Sequence, residues 1–351
     1  MWNKDKIQAF RQTLLSWYDQ NKRDLPWRQD HDPYHVMVSE IMLQQTQVNT
    51  VIPYYHRFMA AFPTVQALAD APQASVLKAW EGLGYYSRAR NLQKAAQQIV
   101  SVHAGAWPQS VAELTKLAGI GPYTAGAIAS IAFNQVEPAI DGNAFRVFAR
   151  LFCIDADIAQ PKTRKIFDQV IRQVIDPDRP GDFNQAIMDL GSSYMSAKDP
   201  DAKHSPVAAF DESLQTGRVL DFPVKTKKKP PVVVPYAALV VKSPAGYLFV
   251  QRPQTGMLAN LWMFPLVEAD NAAAASVQFQ QLSGVKLTFT DPQLPMVKHT
   301  FTHRQWQMTL FVATGDEFAV SALNGRWVPR QEISTLAIPT VQKKLLKEAL
   351  N

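Results

Sequence analysis

The feature that most constrains the fold is a run of lysines and prolines that divides the chain into two differently patterned parts. This run, DFPVKTKKKPP over 221–231, has no apolar periodicity and is typical of an extended linker. A length of 351 residues, at about 150 residues per domain, also favours two domains. We therefore predict one domain over 1–221, a basic, proline-rich linker over 222–231 and a second domain over 232–351.

The part before the linker has the apolar spacing of amphipathic helices. Over residues 5–20, apolar side chains recur every three or four positions, which is the period of an α-helix. Prolines and Asp/Asn clusters separate further stretches of the same kind. No β-rich stretch competes with them, so we predict an all-α domain. Its further helices are expected over 34–48, 51–61, 74–80, 88–103, 110–117, 123–132, 143–152, 162–174 and 183–194.

The part after the linker has the pattern of strands with few helices. Val232 to Val241 is apolar and β-branched, Ala245-Gly246 is a turn signal, and residues 247–250 form a second strand candidate. This order of elements predicts a small α+β domain. Further strands are expected over 285–289, 297–301, 306–313 and 325–328, and helices over 271–282 and 337–350.

The cysteine content and the apolar runs exclude several classes of protein. Cys153 is the only cysteine, which rules out an intrachain disulfide, a Cys-rich zinc site and a cluster bound by four thiolates. The longest apolar runs fall short of the roughly 20 residues that a transmembrane helix needs. The charged N-terminus lacks the apolar core of a secretory signal. We expect a bacterial-type cytoplasmic protein.

The positive charge is unevenly distributed along the chain. Residues 1–222 carry 22 Lys and Arg against 23 Asp and Glu, whereas residues 223–351 carry 14 against 7. The linker and the second domain therefore suit contact with phosphates. Any contact of the first domain with nucleic acid must instead use local geometry and backbone amides.

A glycine-rich turn, Gly119-Ile120-Gly121, joins two of the predicted helices. Such a turn admits positive φ, and amides at the start of the next helix favour a phosphate. A bare Gly-x-Gly is usually an ordinary turn. Here the flanking helices and the following Thr124-Ala125-Gly126 match a helix–hairpin–helix DNA-binding hairpin. We predict DNA contact by Gly119, Gly121 and Thr124.

Two carboxylates stand in contexts that suit acid–base chemistry. Asp141 precedes a helix expected from Asn143, where amide donors and the helix dipole would keep it ionised. An ordinary N-cap is the alternative. Glu40 lies within the apolar stretch 34–48, where apolar surroundings raise the pKa of a carboxyl group. A solvated glutamate on a helix face is the alternative.

The hairpin with its downstream Asp141 resembles the helix–hairpin–helix DNA glycosylase superfamily, whose members excise damaged or mispaired bases. Further motifs are similar to those of MutY-type adenine DNA glycosylases and stand in the same order. The resemblance runs through both domains and implies excision of adenine opposite 8-oxoguanine or guanine in duplex DNA. The motifs are LPWR from Leu25, EIMLQQTQV from Glu40, GLGYYSRARNL from Gly82 and FNQAIMDLG from Phe183.

The resemblance implies roles for individual residues. Glu40 would protonate adenine at N7 so that the base leaves neutral, and Asp141 would stabilise the oxocarbenium-like sugar or act as a transient nucleophile. Tyr123 and Asn143 would support the reacting carboxylate through hydrogen bonds. The residues implied to line the adenine pocket are Trp27, Arg28 and Gln185.

Excision requires that the target base leave the helix, and the resemblance implies which residues occupy the gap. Gln45 and Tyr85 would insert near the opposing base, and Thr46 and Leu83 would contact that base through their backbones. Without the resemblance, Gln45 is a helix-surface residue and Tyr85 a core aromatic.

Tyr123 also distinguishes between two mechanisms. In endonuclease-III-like relatives, a lysine in this hairpin attacks the sugar and cleaves the strand, and tyrosine cannot form a Schiff base. Phe145 stands where some adenine glycosylases have a lysine near the sugar. We therefore predict a monofunctional glycosylase. The rival interpretations are an endonuclease-III-like glycosylase/lyase and a catalytically silent lesion-binding protein.

The chain departs from the family pattern after the Met-Asp-Leu-Gly motif. Most members carry four cysteines there, spaced C-x6-C-x2-C-x5-C, which bind a [4Fe–4S] cluster. We predict a clusterless subgroup that needs no metal or other cofactor, with the loop 195–212 held by packing and hydrogen bonds. The same spacing in this chain gives Met195, Ala202, Ser205 and Asp211.

The second domain resembles the MutT-like (Nudix) fold through VQRP from Val250 and LWMFP from Leu261. Pyrophosphate hydrolysis in that fold needs a helix with several glutamates for Mg²⁺. Residues 232–351 contain four widely spaced glutamates, so a Nudix hydrolase is the weaker alternative. The resemblance implies a role in recognising 8-oxoguanine, for which a plain β-turn is the alternative. The recognition residues are Phe301, Thr302 and His303, with Thr302 where many relatives have serine.

The implied partners are double-stranded DNA and the enzymes that process the abasic site. We expect a monomer associated with the nucleoid.

Overall fold

The structure is a computed structural model. In it, every regular element of residues 2–227 is a helix. The described residues are 2–227 and 230–350. The first helix begins where the Asn3 side chain accepts from the amide of Lys6 at 2.8 Å, and it buries Phe10, Leu14 and Tyr18 on one face. The helices are α1 (Lys4–Asn21), α2 (Pro33–Leu43), α3 (Val48–Ala61), α4 (Val65–Asp70), α5 (Gln73–Ala79), α6 (Ser87–Val102), α7 (Val111–Leu114), α8 (Pro122–Phe133), α9 (Gly142–Leu151), α10 (Thr163–Val174), α11 (Pro180–Ser193) and α12 (Glu212–Gln215).

The predicted helices are present, with differences at their ends. α2 ends at Leu43 rather than at 48, because Gln45 has a left-handed backbone with φ of 60°. α7 is a single turn, and α4 was not predicted because six residues are too few to show a period. Within the described part of the chain, no helix is both long and apolar enough to cross a membrane.

One core of the helical part lies among α1, α9, α10 and α11. Phe10, Phe148, Phe167 and Phe183 are fully buried in it. A Cβ at position 191 would lie 2.6 Å from the Cβ of Asn143, so glycine there allows α11 to approach the start of α9. This close approach fixes the position of the first turn of α9.

Residues 71–90 pack within the unit that contains the C-terminal part of the chain. There Tyr86 Oη donates to Ile338 O at 3.1 Å, and Lys78 Nζ donates to Leu336 O at 3.1 Å. Composition alone does not reveal such packing. The domain boundaries predicted at 221 and 232 stay a prediction. The chain divides into one unit of Met1–Asp70 with Asn91–Lys227 and another of Ala71–Arg90 with Lys228–Asn351.

A mixed seven-stranded sheet forms the framework of residues 230–350. Its strands are β1 (Val232–Ser243), β2 (Gly246–Gln251), β3 (Trp262–Met263), β4 (Leu266–Val267), β5 (Thr290–Thr300), β6 (Arg304–Thr314) and β7 (Gly325–Val328). The order is β3-β2-β1-β6-β5, with β4 beside β1 and β7 beside β2. β1 and β6 run parallel and the other pairs are antiparallel.

Helices cover both faces of this sheet, because β1 alternates its buried side chains between two cores. Ala238 and Val240 belong to the core that includes Leu345 of α14 (Thr340–Leu350). Ala237, Leu239 and Val241 belong to the core that includes Phe279 of α13 (Ala272–Ser283). The architecture is the α+β class that the sequence predicts.

The predicted strand over 285–289 is wrong. These residues have no regular structure, and β5 begins at Thr290. Leu287 is buried in the core beneath α13, and its carbonyl accepts from Ser276 Oγ at 2.6 Å. The apolar pattern therefore reflects loop burial and not strand pairing.

The loop over 195–212 is built around buried side chains that do not fit an iron–sulfur cluster. Asp211 is fully buried, and its Oδ1 accepts from Ser213 Oγ at 2.7 Å and from the Leu214 amide at 3.1 Å. Cluster binding requires thiolate ligands at such positions. The residues at the family's four cysteine positions, all buried, are Met195, Ala202, Ser205 and Asp211.

Arg150 of α9 lies buried beside this loop and donates to two other backbone segments, one at Ser196 and one over 219–222. Its Nε donates to the carbonyls of Val219 and Phe222 at 3.2 Å each, and its Nη2 donates to Ser196 O at 3.0 Å. Burial lowers the pKa of Arg150, and the charge of Asp211 opposes this shift. One guanidinium thus supplies donors to the buried carbonyl of Phe222 and to two part-buried carbonyls.

Replacing Arg150 with methionine is expected to destabilise the chain by about 3 kcal/mol, because one buried and two part-buried carbonyls lose their donor. Thermal unfolding measures the effect. Arg172→Met is the matched control, because Arg172 is half-exposed and its ion pairs are worth less than about 1 kcal/mol. Equal melting temperatures for the two variants would contradict this account of the loop.

Candidate active site

A cavity of about 460 Å³ lies among α2, α8, α11 and the start of α9. Its walls also include the single turn Pro26–Arg28, a 3₁₀-helix. The cavity is large enough for a purine base. The sequence-predicted residues that line it are Trp27, Arg28, Glu40, Gln45, Thr46, Tyr123, Asp141, Asn143 and Gln185.

Glu40 is the buried acid of the cavity. Glu40 is 5% exposed and lies in the C-terminal half of α2 within an apolar run, so it is not a solvated helix-face glutamate. Burial raises its pKa to about 7, and the negative charge of Asp141 acts in the same direction. The hydrogen bond from Tyr123 and the charge of Arg28 act against that rise. Glu40 can therefore hold a proton near neutral pH.

Tyr123, in the first turn of α8, donates its hydroxyl proton to Glu40 Oε2. The carboxyl group that Tyr123 contacts is thus Glu40, the buried acid. Burial and the charges of Glu40 and Asp141 raise the pKa of Tyr123 well above its ordinary value. Tyr123 is therefore a hydrogen-bond donor at neutral pH and not a nucleophile.

Asp141 is the N-cap of α9, and its carboxylate points its second oxygen at Asn143. Oδ1 accepts from the amides of Asn143 and Ala144 at 2.8 Å each, and Oδ2 accepts from Asn143 Nδ2 at 2.6 Å. The Asn143 side chain accepts in turn from Arg146 Nη2 at 2.6 Å. Asn143 therefore lies within hydrogen-bond reach of Asp141, as predicted.

The net pKa shift of Asp141 differs from the expectation. The three donors lower its pKa, as predicted for a helix N-terminus, but burial is the largest effect and raises the pKa above its ordinary value. The capping geometry alone predicts a lowered pKa for Asp141. Its burial in the cavity wall explains why the pKa is raised instead.

A cluster of two arginines and one aspartate joins the cavity to α11, and sequence analysis missed two of its three members. Arg28 Nη1 donates to Asp189 Oδ2 at 2.7 Å, and Arg23 Nε donates to Asp189 Oδ1 at 2.8 Å. Arg23 and Asp189 are 166 residues apart in sequence. The available signal was the presence of Arg23 just before Leu25-Pro26-Trp27-Arg28 and of Asp189 within Met-Asp-Leu-Gly.

Trp27 and Gln185 are buried side chains in the cavity wall. The Trp27 ring packs edge-on against Tyr55, with centroids 5.4 Å apart. Gln185 lies on α11 one turn before Asp189. Together with Arg28 these side chains present an aromatic face and polar groups, the combination that binds a base.

The turn after α2 places Gln45 and Thr46 at the cavity mouth. Gln45 is exposed with φ of 60°, a backbone conformation that non-glycine residues adopt at a cost. The Thr46 amide donates to Leu43 O at 3.2 Å. Strain of this kind concentrates at ligand-contacting positions, so the conformation of Gln45 favours a functional role over a plain helix surface.

The hairpin glycines have different roles. Gly119 has φ of 74°, and a Cβ there would lie 2.6 Å from the Cβ of Asn91. Gly121 is the N-cap of α8 and has open space where a Cβ would stand. Thr124 is 1% exposed, and its hydroxyl accepts from Gln44 Nε2 at 3.3 Å. The structure thus places the Thr124 side chain in the core, so DNA contact by Thr124, which stays a prediction, would use its backbone.

A second cavity, of about 580 Å³, lies within the unit that contains residues 71–90 and the sheet. The β5–β6 turn supplies Phe301, Thr302 and His303 to its wall, beside Leu83 and Tyr85. Tyr85 is 48% exposed with φ of 47°, so it is not the core aromatic of the alternative interpretation. Its Oη lies 3.3 Å from Thr302 Oγ1.

Phe301 anchors this turn from below. Its ring packs against His299 and Trp306, with centroids 4.6 and 4.8 Å away, and its amide donates to Arg304 O at 2.7 Å. Thr302 and His303 are consequently presented to solvent. Across residues 2–227 and 230–350, no cluster of His, Cys, Asp and Glu has the geometry of a metal site.

Two family models match the chain. A model described as "HhH-GPD superfamily base excision DNA repair protein" matches residues 38–173, and a NUDIX domain model matches residues 236–348. The first match contains Glu40, Tyr123 and Asp141, and the second contains the turn 301–303.

Solved structures share the fold of the helical part. A thermostable thymine-DNA glycosylase is 23% identical with a TM-score of 0.55, covering 60% of this chain and 98% of its own. An endonuclease III–DNA complex is 18% identical with a TM-score of 0.52, covering 62% of this chain and 99% of its own. At these identities the likeness shows the fold alone.

Curated relatives match nearly the whole chain. Adenine DNA glycosylase of Rattus norvegicus is 37% identical over 97% of this chain and 78% of its own length. The Homo sapiens protein of the same name is 36% identical over 97% of this chain and 74% of its own. One from Buchnera aphidicola is 34% identical over 87% of this chain and 84% of its own. With the buried acid and the capped aspartate in one cavity, these matches show that the chain belongs to the adenine DNA glycosylase family.

Proposed function

We propose that this chain is a monofunctional adenine DNA glycosylase that excises adenine opposite 8-oxoguanine or guanine in duplex DNA and so initiates base excision repair. The observation that supports this most is one cavity with two unlike carboxyl groups. Glu40 has its pKa raised to about 7, and Asp141 is held by three donors. Such a pair provides one acid and one anion for cleavage of a glycosidic bond.

Glu40 acts first as the general acid. Adenine leaves poorly as an anion, and protonation at N7 lets it leave as a neutral base. A carboxyl group with a pKa near the working pH transfers its proton most effectively. Tyr123 holds one oxygen of Glu40, which directs the proton from the other oxygen toward the base.

Asp141 stabilises the positive charge that develops on the sugar as the bond breaks. Asn143 fixes one carboxylate oxygen through its side chain, and the amides of Asn143 and Ala144 fix the other. A preorganised anion of this kind stabilises the oxocarbenium-like transition state or bonds transiently to the sugar. Trp27, Arg28 and Gln185 hold the flipped base within reach of Glu40.

Strand cleavage is not part of the proposed reaction. Tyr123 and Phe145 offer no amine at the two positions where relatives carry a sugar-attacking lysine, so a Schiff base does not form there. An adenine-containing strand treated with purified protein should therefore stay intact without alkali. Alkali should break it at the abasic site that the protein leaves. Equal breakage in both conditions would favour the glycosylase/lyase interpretation.

Recognition of the opposing base is assigned to the second cavity. The Thr302 hydroxyl and the exposed Tyr85 ring stand together in its wall, and a placed donor distinguishes the altered edge of 8-oxoguanine from that of guanine. Gln45, Thr46 and Leu83 complete the contacts with the DNA. Gly119 and Gly121 bind the backbone phosphates through amides at the start of α8.

Removing the Thr302 hydroxyl should reduce the preference for 8-oxoguanine. Thr302→Ala is expected to bring the excision rate opposite 8-oxoguanine about tenfold closer to the rate opposite guanine, since one hydrogen bond is lost. Single-turnover rates on both duplexes measure the ratio. Thr302→Ser keeps the hydroxyl and should keep the ratio, and a loss of preference in the serine variant as well would contradict the assignment.

The same proposal covers the cofactor, the partners and the location. Glycosidic hydrolysis by two carboxyl groups needs no metal. The four buried, non-thiolate side chains at the family's cysteine positions in the loop 195–212 support a reaction without a [4Fe–4S] cluster. The expected setting is a cytoplasmic monomer on nucleoid DNA. Its product, an abasic site, requires a downstream enzyme that cleaves the sugar–phosphate backbone.

A further inference from the structure

Asp189 is a buried carboxylate that the mechanism above does not use. It lies on α11, is 4% exposed and does not line the cavity. Its two oxygens accept hydrogen bonds from two arginines. Arg28 donates through Nη1 at 2.7 Å and Nη2 at 3.1 Å, and Arg23 donates through Nε at 2.8 Å and also through Nη2.

Both arginines, unlike Asp189, belong to the cavity wall. Arg28 grips the carboxylate with two parallel hydrogen bonds, the geometry that fixes a guanidinium plane. A second cation, Arg23, on the same carboxylate stiffens the arrangement. Asp189 does not line the cavity, but it therefore fixes the positions of the two guanidinium groups that do.

Arg28 would oppose the general acid if its charge were uncompensated. A cation near a carboxyl group favours the ionised form, and Arg28 acts on Glu40 in that direction. The other groups that face Glu40 are Tyr123 from α8 and Asp141 from the start of α9. A bidentate ion pair has a much weaker field than a lone buried cation.

We propose that Asp189 is a positioning residue, which holds Arg28 and Arg23 in the wall of the adenine cavity and compensates the charge of Arg28 beside Glu40. The inference rests on the proposed adenine excision and adds to it a control on the acid. Asp189 touches neither base nor sugar, and it acts through the two arginines.

The test is the pH dependence of single-turnover adenine release. Excision requires protonated Glu40, so the rate is present below the pKa of Glu40 and is lost as pH rises through about 7. In Asp189→Asn the charge of Arg28 is uncompensated, the pKa of Glu40 falls, and the midpoint of the alkaline limb should move down by about one pH unit. Asp189→Glu, which restores a carboxylate, should return the midpoint toward that of the unmodified chain.

Two further variants separate charge compensation from a merely structural role. Arg28→Gln added to Asp189→Asn removes the cation together with its partner, so the midpoint should move back up even though the rate stays low. Arg23→Gln leaves Arg28 paired with Asp189 and should leave the midpoint where it is. Because the midpoint does not depend on the absolute rate, partial loss of folded protein does not obscure it.

The outcomes are distinguishable. If Asp189→Asn lowers the melting temperature but keeps the original midpoint, Asp189 is only a structural residue and the inference is overturned. If the double variant keeps the lowered midpoint, Arg28 is not the group that Asp189 compensates. If the unmodified chain releases no adenine at any pH, the proposed function fails first, and this inference fails with it.

Discussion

Glu40→Gln is expected to abolish adenine release while leaving duplex binding intact. Glutamine keeps the size and the polar contact to Tyr123 but has no proton to give to adenine N7. General acid catalysis typically contributes 10²–10⁴-fold, and a poor anionic leaving group favours the upper part of that range, so we expect a rate loss of at least about a thousand-fold. Single-turnover excision and equilibrium binding to the same duplex measure the two effects.

Glu113→Gln is the control for that variant. Glu113 is exposed in α7, where it accepts a hydrogen bond from Ser110 Oγ at 2.7 Å. It does not line the cavity. It should excise adenine at the unaltered rate. Excision by Glu40→Gln at a rate near that of the control would show that another group supplies the proton, and the assignment of the acid would be wrong.

Asp141→Asn is expected to reduce excision by about two to three orders of magnitude without unfolding α9. Asparagine is as good an N-cap as aspartate, so the helix keeps its start. It carries no negative charge, so the developing positive charge on the sugar loses its stabilising anion. The substitution therefore separates the chemical role of Asp141 from the capping role that any aspartate could have there.

Asp32→Asn is the matched control. Asp32 caps α2 by accepting from the Tyr34 amide at 2.8 Å, and it is exposed outside the cavity. We expect the control to have nearly the original rate and circular dichroism spectrum. If Asp141→Asn also excises adenine at nearly the original rate, Asp141 is only a helix cap.

Much of the fold follows from local patterns, and the exceptions have local causes. Helical periodicity predicts α1 and α10 because each buries a continuous apolar face. The strand predicted over 285–289 fails because Leu287 is apolar for burial beneath α13, a tertiary requirement. The packing of residues 71–90 within the second unit depends on contacts such as Tyr86 with Ile338, which leave no trace in linear composition.

Some features of the candidate site likewise follow from local sequence patterns, and others depend on tertiary packing. The raised pKa of Glu40 follows from its apolar helical setting, and the contact of Asn143 with Asp141 follows from the geometry of a helix start. The partner of Tyr123 and the buried position of Thr124 do not, because both depend on how α2 packs against α8. Asp189 was missed because its partners, Arg23 and Arg28, lie more than 160 residues earlier in the sequence.

The central claim is tested most directly by measuring free adenine released in a single turnover from duplexes with adenine opposite 8-oxoguanine, guanine or thymine. The account predicts release that is fastest opposite 8-oxoguanine, slower opposite guanine and slowest opposite thymine. Folded protein that binds the 8-oxoguanine duplex and releases no adenine from it would contradict the account and favour a lesion-binding protein.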